Sequence, residues 1–95
     1  MTKTVVTCPV EEAIRVIGGK WKLLVLRSLL LNGPQRYNHL LKTVTGISQK
    51  ELTRNLKELT SAGLVTGSYE LTELGKGLMP TFKNLLTWGT HLPVR

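Results

Sequence analysis

The sequence predicts one domain, 1–95, that is mainly α-helical and carries a small β-hairpin. Apolar residues recur at helical spacing along most of the chain, and breaks that contain Gly or Pro divide it into five to six helices. One stretch, 64–71, instead has the pattern of two short strands joined by a tight Gly-Ser turn. A domain of this length buries only about two-thirds of its unfolded surface, so it often depends on a partner subunit.

The first two helices are predicted at 9–18 and 20–31. Pro9 suits the first position of a helix, and the two glutamates that follow favour its positive end. The second segment contains "LLVLRSLLL", which is apolar on nearly every side. Because such a helix is stable only when neighbours cover it all round, we expect it to be the central core helix.

"NGP" ends that helix, and 35–37 is predicted as a short edge strand before a third helix at 38–45. After the fourth helix, the hairpin at 64–71 is expected to turn at Gly67 with a positive φ, as in a type II′ turn, and to pair Leu64 with Leu71. The last helix is predicted at 73–89, with a bend at its internal proline.

The fourth helix, 48–62, has the clearest start and stop signals. Ser48 and Glu51 form the S-x-x-E capping box. Gly63 fits the left-handed residue that follows a helix, with Leu64 packed back on the last turn as in a Schellman motif. These local signals fix the length of the helix at roughly four turns.

Basic residues concentrate on and before this helix. Between 36 and 57 the chain holds five cations and one acid, and the whole chain has 13 basic and 6 acidic residues, a formal net charge of +7. A solvated surface is the commoner explanation of a charged helix. The short helix before it, the tight "VTGIS" connection and the charge excess favour a helix-turn-helix whose second helix enters a DNA major groove.

The composition also excludes several classes of protein. No apolar run approaches the ~20 residues of a membrane span, and we expect a soluble, cytoplasmic protein with no membrane partner. One cysteine, two histidines and no aspartate give neither a convincing catalytic triad nor the spacing of a zinc site. We therefore expect no enzyme activity, no metal and no cofactor.

Three segments carry a resemblance to a known family: "CPVEEAIRVIGGKWKLLVLRSLL", "GPQRYNHLLKTVTGISQKELTRNLKELTSAGLV" and "YELTELGKGLMPTFKNLLTWG". Together they closely resemble the HxlR-type transcriptional regulators, which are related to MarR regulators. The resemblance implies a winged helix-turn-helix that dimerises through its N- and C-terminal helices. Two-fold pairing would favour a palindromic DNA operator. The identity of any small-molecule effector is unknown from the sequence, and a pocket for one at the dimer seam stays an open alternative.

The chain departs from that family in its wing. Relatives carry about ten further residues, some of them basic, between the two strands of the hairpin, where this chain has Thr66, Gly67 and Ser68. Two alternatives stay open: DNA is bound by the helices alone, or the sequence lacks a mobile loop. Contacts of the wing with DNA are therefore not transferred.

The expected DNA contacts lie on the fourth helix and just before the third. Gln49 and Thr53 are candidate base readers, because polar side chains of this kind hydrogen-bond to base edges. Ser48 is first a helix cap and second a phosphate donor. The residues that we expect to contact DNA are Arg36, Ser48, Gln49, Lys50, Thr53, Arg54 and Lys57. We expect His39 to be simply exposed.

Cys8 has two interpretations. In front of Pro9 it takes the N-cap position of the first helix, where the helix dipole favours a nucleophilic thiolate, and some family members sense oxidants or electrophiles through a Cys-Pro cysteine. A lone cysteine is more often a small packed side chain.

The expected dimer interface draws on both ends of the chain, and its residues are Val10, Ile14, Ile17, Leu78, Phe82, Leu85 and Trp88. The predicted function is a homodimeric, sequence-specific DNA-binding regulator. The alternatives are a dimeric protein-interaction module that has lost its wing and antagonises a related regulator, and a non-specific nucleic-acid-binding protein.

Overall fold

The computed structural model describes residues 8–93, and six helices follow one another within them. The helices are α1 (Pro9–Ile17), α2 (Lys20–Asn32), α3 (Tyr37–Thr43), α4 (Gln49–Ser61), α5 (Glu73–Lys76) and α6 (Met79–Gly89). The first four differ from their predicted bounds by a residue or two. None of the helices in this described part is long and apolar enough to cross a membrane.

The core forms around α2, which packs against α3 and α4. Val25, Leu26 and Leu29 of α2 are buried among the leucines of α4 and the apolar residues of α3. The expectation that α2 is covered on every side is wrong at its last turn. Leu31 is 60% exposed there, because no other element of the described chain covers that side.

Both ends of α4 have the predicted caps. The backbone N–H of Glu51 donates to Ser48 Oγ (3.1 Å), and the backbone N–H of Ser48 donates to Glu51 Oε1 (3.1 Å), which confirms the capping box. At the other end Gly63 has a φ of 82°, and the N–H of Leu64 donates to the carbonyl of Leu59 (3.0 Å). This bond, together with the burial of both leucines, confirms the Schellman ending.

The short strand predicted at 35–37 is wrong, because Gln35 is buried and Tyr37 already begins α3. Gln35 Nε2 donates to the carbonyl and hydroxyl of Ser28 (3.0 and 2.8 Å), and its Oε1 accepts from Thr43 Oγ1 (3.0 Å). Ser28 and Thr43 also share a hydrogen bond of 2.7 Å. This buried polar network attaches the start of α3 to α2.

The wing hairpin, residues 64–71, is smaller than predicted. Among the described residues it contains a single antiparallel bridge, and the bridge joins Val65 to Leu71 rather than Leu64 to Leu71. The predicted positive φ at Gly67 is also wrong, since Tyr69 has it instead (63°). The N–H of Tyr69 donates to the carbonyl of Thr66 (3.0 Å) and that of Thr66 to the carbonyl of Glu70 (2.7 Å), the pattern of a three-residue hairpin loop.

The predicted helix at 73–89 is two helices. Thr72 caps α5 by accepting from the N–H of Gly75 (3.1 Å), and α5 stops at Lys76. Pro80 lacks an N–H, and in an unbroken helix its ring would clash with the Lys76 carbonyl. The chain therefore restarts as α6 with Pro80 in the first turn, where a missing N–H costs nothing.

Candidate nucleic-acid interface

The outer face of α4 is a continuous polar surface. It consists of Gln49, Lys50, Thr53, Arg54 and Lys57, all of them exposed. The opposite side of the helix carries Leu52, Leu56 and Leu59, which are buried in the core. Because the core holds one side of the helix and the caps hold its ends, the outer face is presented on a rigid element.

The three cations of this face have no acidic partner within the described part of the chain. The ion pairs found there join Arg15 to Glu12, Lys22 to Glu58 and Lys76 to Glu73. The charges of Lys50, Arg54 and Lys57 are thus directed to solvent and can meet an external anion.

Shallow grooves run along both flanks of this face. On one side, Arg54 and Lys57 line a groove of about 680 Å³ together with Arg15 and Lys22 of α1 and α2. On the other side, Thr53 and Lys57 border a groove of about 310 Å³ that is shared with Tyr37 of α3 and with the wing hairpin. Lys57 lines both grooves, and it is the central cation of the surface.

The start of α4 is held to α2 by Glu51. Its Oε2 accepts a hydrogen bond from Trp21 Nε1 (2.9 Å), while Oε1 accepts from the backbone of Ser48. The Ser48 backbone N–H, followed by smaller contributions from the Ser48 hydroxyl, Trp21 and Arg54, lowers the pKa of the Glu51 carboxyl below its ordinary value. The first turn of α4 is therefore fixed by charge-assisted bonds.

Tyr37 contacts the same helix from α3. Its hydroxyl lies 3.0 Å from the Gln49 carbonyl oxygen and 2.9 Å from Thr53 Oγ1. We did not predict this contact from the sequence. The available signal was the four-residue spacing of Gln49 and Thr53, which places both on the edge of α4 that turns toward α3.

Two further predicted positions lie away from α4. Arg36 is the exposed N-cap residue of α3, and it lines a separate groove of about 530 Å³ with Tyr69 and Glu70 of the wing hairpin. His39 is exposed, as predicted. The structure therefore places Arg36 beside the wing and leaves the outer face of α4 to the residues named above.

Cys8 is exposed at the N-cap position of α1. Its side chain makes no capping hydrogen bond, while its carbonyl accepts the N–H of Glu12 (3.0 Å). Within residues 8–93 no group of three or more His, Cys, Asp or Glu side chains could hold a metal ion. Because Cys8 is exposed, its thiol is accessible to a reagent in solvent.

The residues expected in the dimer interface fall into two groups. Val10, Ile14 and Trp88 are 63%, 62% and 59% exposed, and Leu85 is 40% exposed. Ile17 and Leu78 are half-buried against the core, and Phe82 is only 6% exposed. Phe82 is therefore a residue of the protomer's own interior and offers little surface for pairing, which corrects its assignment.

Two exposed leucines of α5 and α6 are not in the predicted interface set. Leu74 of α5 and Leu86 of α6 are 65% and 60% exposed. Both belong to the region where a single helix was predicted. The structure divides this region into α5 and α6, and each of the two helices leaves one of these leucines exposed.

Comparison with a family model and with known sequences points to the same class of protein. Residues 16–94 match the family model described as HxlR-like helix-turn-helix. The uncharacterized HTH-type transcriptional regulator YkvN of Bacillus subtilis is 41% identical in an alignment that covers 90% of this chain and 80% of YkvN. An HTH-type regulator of Methanothermobacter thermautotrophicus is 40% identical over 86% of this chain and 70% of its own length.

Solved structures have the same fold. Quinone-bound YodB from B. subtilis superposes with a TM-score of 0.80 at 34% identity, and the match covers 90% of this chain and 100% of that one. The redox regulator HypR in its oxidized form gives a TM-score of 0.77 at 33% identity, covering 93% and 100%.

The alignment with YkvN contains a length difference. It runs over 95 positions yet covers 90% of this 95-residue chain, so roughly ten positions of the relative have no counterpart here, a difference of the size that surface loops tolerate. The alignment with the Methanothermobacter protein has the same property. This agrees in size with the residues expected to be missing from the wing.

Proposed function

The chain belongs to the HxlR-like helix-turn-helix family, and we propose that it binds DNA in a sequence-specific manner as a homodimer. Its relatives are transcriptional regulators of the helix-turn-helix type, so the chain is a regulator and not an enzyme. The single observation that carries DNA binding is the outer face of α4, which is exposed, unpaired in charge and rigidly capped. With DNA as partner, we propose a cytoplasmic location.

In this proposal α4 enters the major groove with its N-terminal end toward the bases. Lys50 and Lys57 contact phosphates, which fix the position of the helix on the duplex. Arg54 and Gln49 offer two-pronged hydrogen bonds to base edges. Ser48 serves first as the cap of α4, its hydroxyl accepting the Glu51 N–H, and contact of that hydroxyl with a phosphate is secondary.

Exposed apolar residues support the homodimer. Val10 and Ile14 of α1 and Leu85, Leu86 and Trp88 of α6 are large side chains that the single chain leaves largely in solvent. Exposed large apolar side chains concentrated on two helices are typical of interaction surfaces. A two-fold pair would set its reading helices about 34 Å apart and favour a palindromic operator, with Arg36 near the DNA backbone beside the wing.

Charge reversal on α4 tests the DNA-binding proposal. Arg54→Glu combined with Lys57→Glu should abolish operator binding in a fluorescence-anisotropy titration while leaving the dimer intact. The matched control compares two single variants. Arg27→Glu makes the same charge change at an exposed position of α2, and it should weaken operator binding much less than Arg54→Glu does. Unchanged binding by the double variant would reject the proposal.

Salt dependence measures the same contacts in a second way. Three or four phosphate contacts per subunit predict a log-log slope of about −6 to −7 for the dimer. Lys57→Ala, which keeps the other contacts, should have a shallower slope, because each phosphate contact that is lost removes close to one released counterion.

The wing hairpin, which contains no basic residue, favours a second candidate function. Gly67 and Ser68 at its tip carry no positive charge that could pair with a phosphate. A dimer that lacks wing contacts could act as a protein-interaction module that antagonises a related regulator, and would then show no consensus in a selection from random DNA. A non-specific nucleic-acid-binding protein would respond to salt and charge but hardly to sequence.

We also propose that Cys8 makes the regulator responsive to electrophiles. The support is the exposed thiol at the N-cap of α1, together with similarity to a redox regulator and to a protein solved with bound quinone. With a quinone, the Cys8 sulfur forms a bond to a ring carbon and its electron pair reduces the ring. The thiol proton and the displaced ring proton end on the two oxygens, giving a hydroquinone thioether.

Cys8→Ser tests this response in a chain that then has no cysteine. Benzoquinone should change the operator affinity of the wild type by about fivefold or more, the usual range of coupling between two sites. The variant should not respond, and intact-mass measurement should show the adduct on the wild type alone. Equal responses of the two proteins would remove Cys8 from the proposal.

A further inference from the structure

The hydroxyl of Tyr37 lies between two oxygen atoms of α4. One is the backbone carbonyl oxygen of Gln49, 3.0 Å away, and the other is Oγ1 of Thr53, 2.9 Å away. Gln49 and Thr53 are one helical turn apart, on the edge of the outer face that is nearest to α3. Tyr37 precedes Gln49 by 12 residues and Thr53 by 16 residues, so the contact joins α3 to α4.

The hydrogens of this contact can be assigned from chemistry. A phenol has one hydrogen to donate, and a carbonyl oxygen can only accept. The Tyr37 hydroxyl hydrogen is therefore donated to the Gln49 carbonyl. The bond between Tyr37 and Thr53 must then use the hydrogen of Thr53, which donates to the phenol oxygen.

We propose that Tyr37 determines how Thr53 reads DNA, an inference that rests on the DNA-binding function proposed above. With its hydrogen committed to Tyr37, Thr53 presents to the groove only lone pairs of Oγ1 and a methyl group. Adenine N6 and cytosine N4 donate hydrogen bonds in the major groove, whereas the O6 and N7 atoms of guanine only accept. Thr53 thus favours adenine or cytosine and disfavours guanine at the base that it faces.

The wing hairpin contacts Tyr37 through the ring of Tyr69. The ring of Tyr69 packs against that of Tyr37, with centroids 6.4 Å apart and planes inclined by 49°. Tyr69 holds a positive φ of 63°, a conformation that is uncommon for a residue with a large side chain. Such conformations persist where the surrounding structure enforces them and often accompany function. The wing, which offers DNA no charge at its tip, instead braces the tyrosine that orients Thr53.

Three conservative variants separate this role from simple packing. Tyr37→Phe keeps the ring and its contact with Tyr69 but frees the hydrogen of Thr53. Tyr69→Phe is the matched control, because the Tyr69 hydroxyl makes no hydrogen bond to another side chain or backbone group among residues 8–93. Thr53→Val removes the hydroxyl that is argued to read the base.

The experiment is selection of bound sequences from random DNA, followed by titration of single-base operator variants. In the wild type and in Tyr69→Phe, one operator position should favour adenine or cytosine over guanine. In Tyr37→Phe that preference should fall by about fivefold, the value of one net hydrogen bond, while the other positions stay unchanged. In Thr53→Val the preference should be absent, and adding Tyr37→Phe should change nothing more.

The possible failures are distinguishable. A wild type without any consensus would overturn the proposed function, and this inference with it. A clear wild-type consensus that Tyr37→Phe leaves unchanged would overturn only the inference, as would a thymine preference at the Thr53 position, which would mean that the methyl group does the reading. A uniform loss of affinity across all sequences would show that Tyr37 serves the fold alone.

Discussion

Glu51 shows how one residue can fix the start of a helix, here the α4 that we propose to bind DNA. Its carboxylate accepts from the Ser48 backbone and from the Trp21 indole, so the same group caps α4 and attaches it to α2. These donors favour the ionised form and lower the pKa of the group. The stability that Glu51 contributes must therefore depend on pH.

Replacing Glu51 by Gln tests that dependence. A carboxyl whose pKa is lower in the folded than in the unfolded state stabilises the fold fully above the unfolded pKa, and the gain is lost as pH falls through the folded pKa. Urea unfolding at fixed protein concentration should show the variant less stable than the wild type at pH 7. The difference should shrink at pH 3 and below, and an equal difference at both pH values would contradict the assignment.

At the scale of residues, the sequence predicts interactions between near neighbours and misses those between distant ones. The capping box could be predicted because Ser48 and Glu51 are three positions apart and the pattern has one geometry. Gln35 was assigned to a strand, since nothing near it indicates that Ser28 and Thr43 will surround it. The Tyr37 contact with Thr53 was missed for the same reason, because it depends on how α3 packs against α4.

At the scale of elements, two positions require glycine for different physical reasons. Gly63 ends α4 with a φ of 82°, and a Cβ added there would meet nothing within 4 Å. Gly75 lies in α5 against the chain, and a Cβ there would collide with the backbone carbonyl oxygen of Leu64. The first position requires a conformation, whereas the second requires space.

Alanine substitutions should separate these two requirements. Gly63→Ala should lower the free energy of unfolding by about 1 kcal/mol, the cost of a left-handed residue with a Cβ. Gly75→Ala should lower it by about 2 to 3 kcal/mol, because a packed backbone must shift. Gly67→Ala is the control and should have almost no effect, since its φ is not positive and its surroundings are open. Equal losses at 63 and 75, measured by urea unfolding, would be inconsistent with this distinction.

The elements that were predicted incorrectly lie where two signals compete. The segment 73–89 has helical spacing throughout, yet Pro80 outweighs it and divides the helix. In the wing hairpin, Gly67 looked like the natural residue for a positive φ. In the structure Tyr69 has the positive φ instead, and its ring contacts that of Tyr37.

At the scale of the whole molecule, the exposed apolar residues of α1 and α6 predict the assembly. Ile14→Arg combined with Trp88→Arg should convert a dimer into a monomer of 10.6 kDa in sedimentation equilibrium, because charge replaces apolar surface on both helices. Affinity for a palindromic operator should then fall by at least about tenfold, since the two half-sites are no longer bound together.

The control for that prediction is Leu31→Arg. Leu31 is as exposed as these residues but ends α2, outside the proposed interface. The Leu31 variant should remain dimeric and keep its operator affinity. Dissociation of the Leu31 variant, or a dimer that survives both arginines on α1 and α6, would place the interface elsewhere.

The three-residue loop of the wing hairpin has a consequence for what else can occupy the same stretch of duplex. The hairpin turns within three residues, and Gly67 and Ser68 at its tip bring no positive charge to the minor groove of a duplex. If α4 occupies the major groove as proposed, dyes that bind the minor groove of A·T-rich DNA should stay bound to the same site. In the proposed complex, a minor-groove ligand and this chain would therefore occupy the same base pairs at the same time.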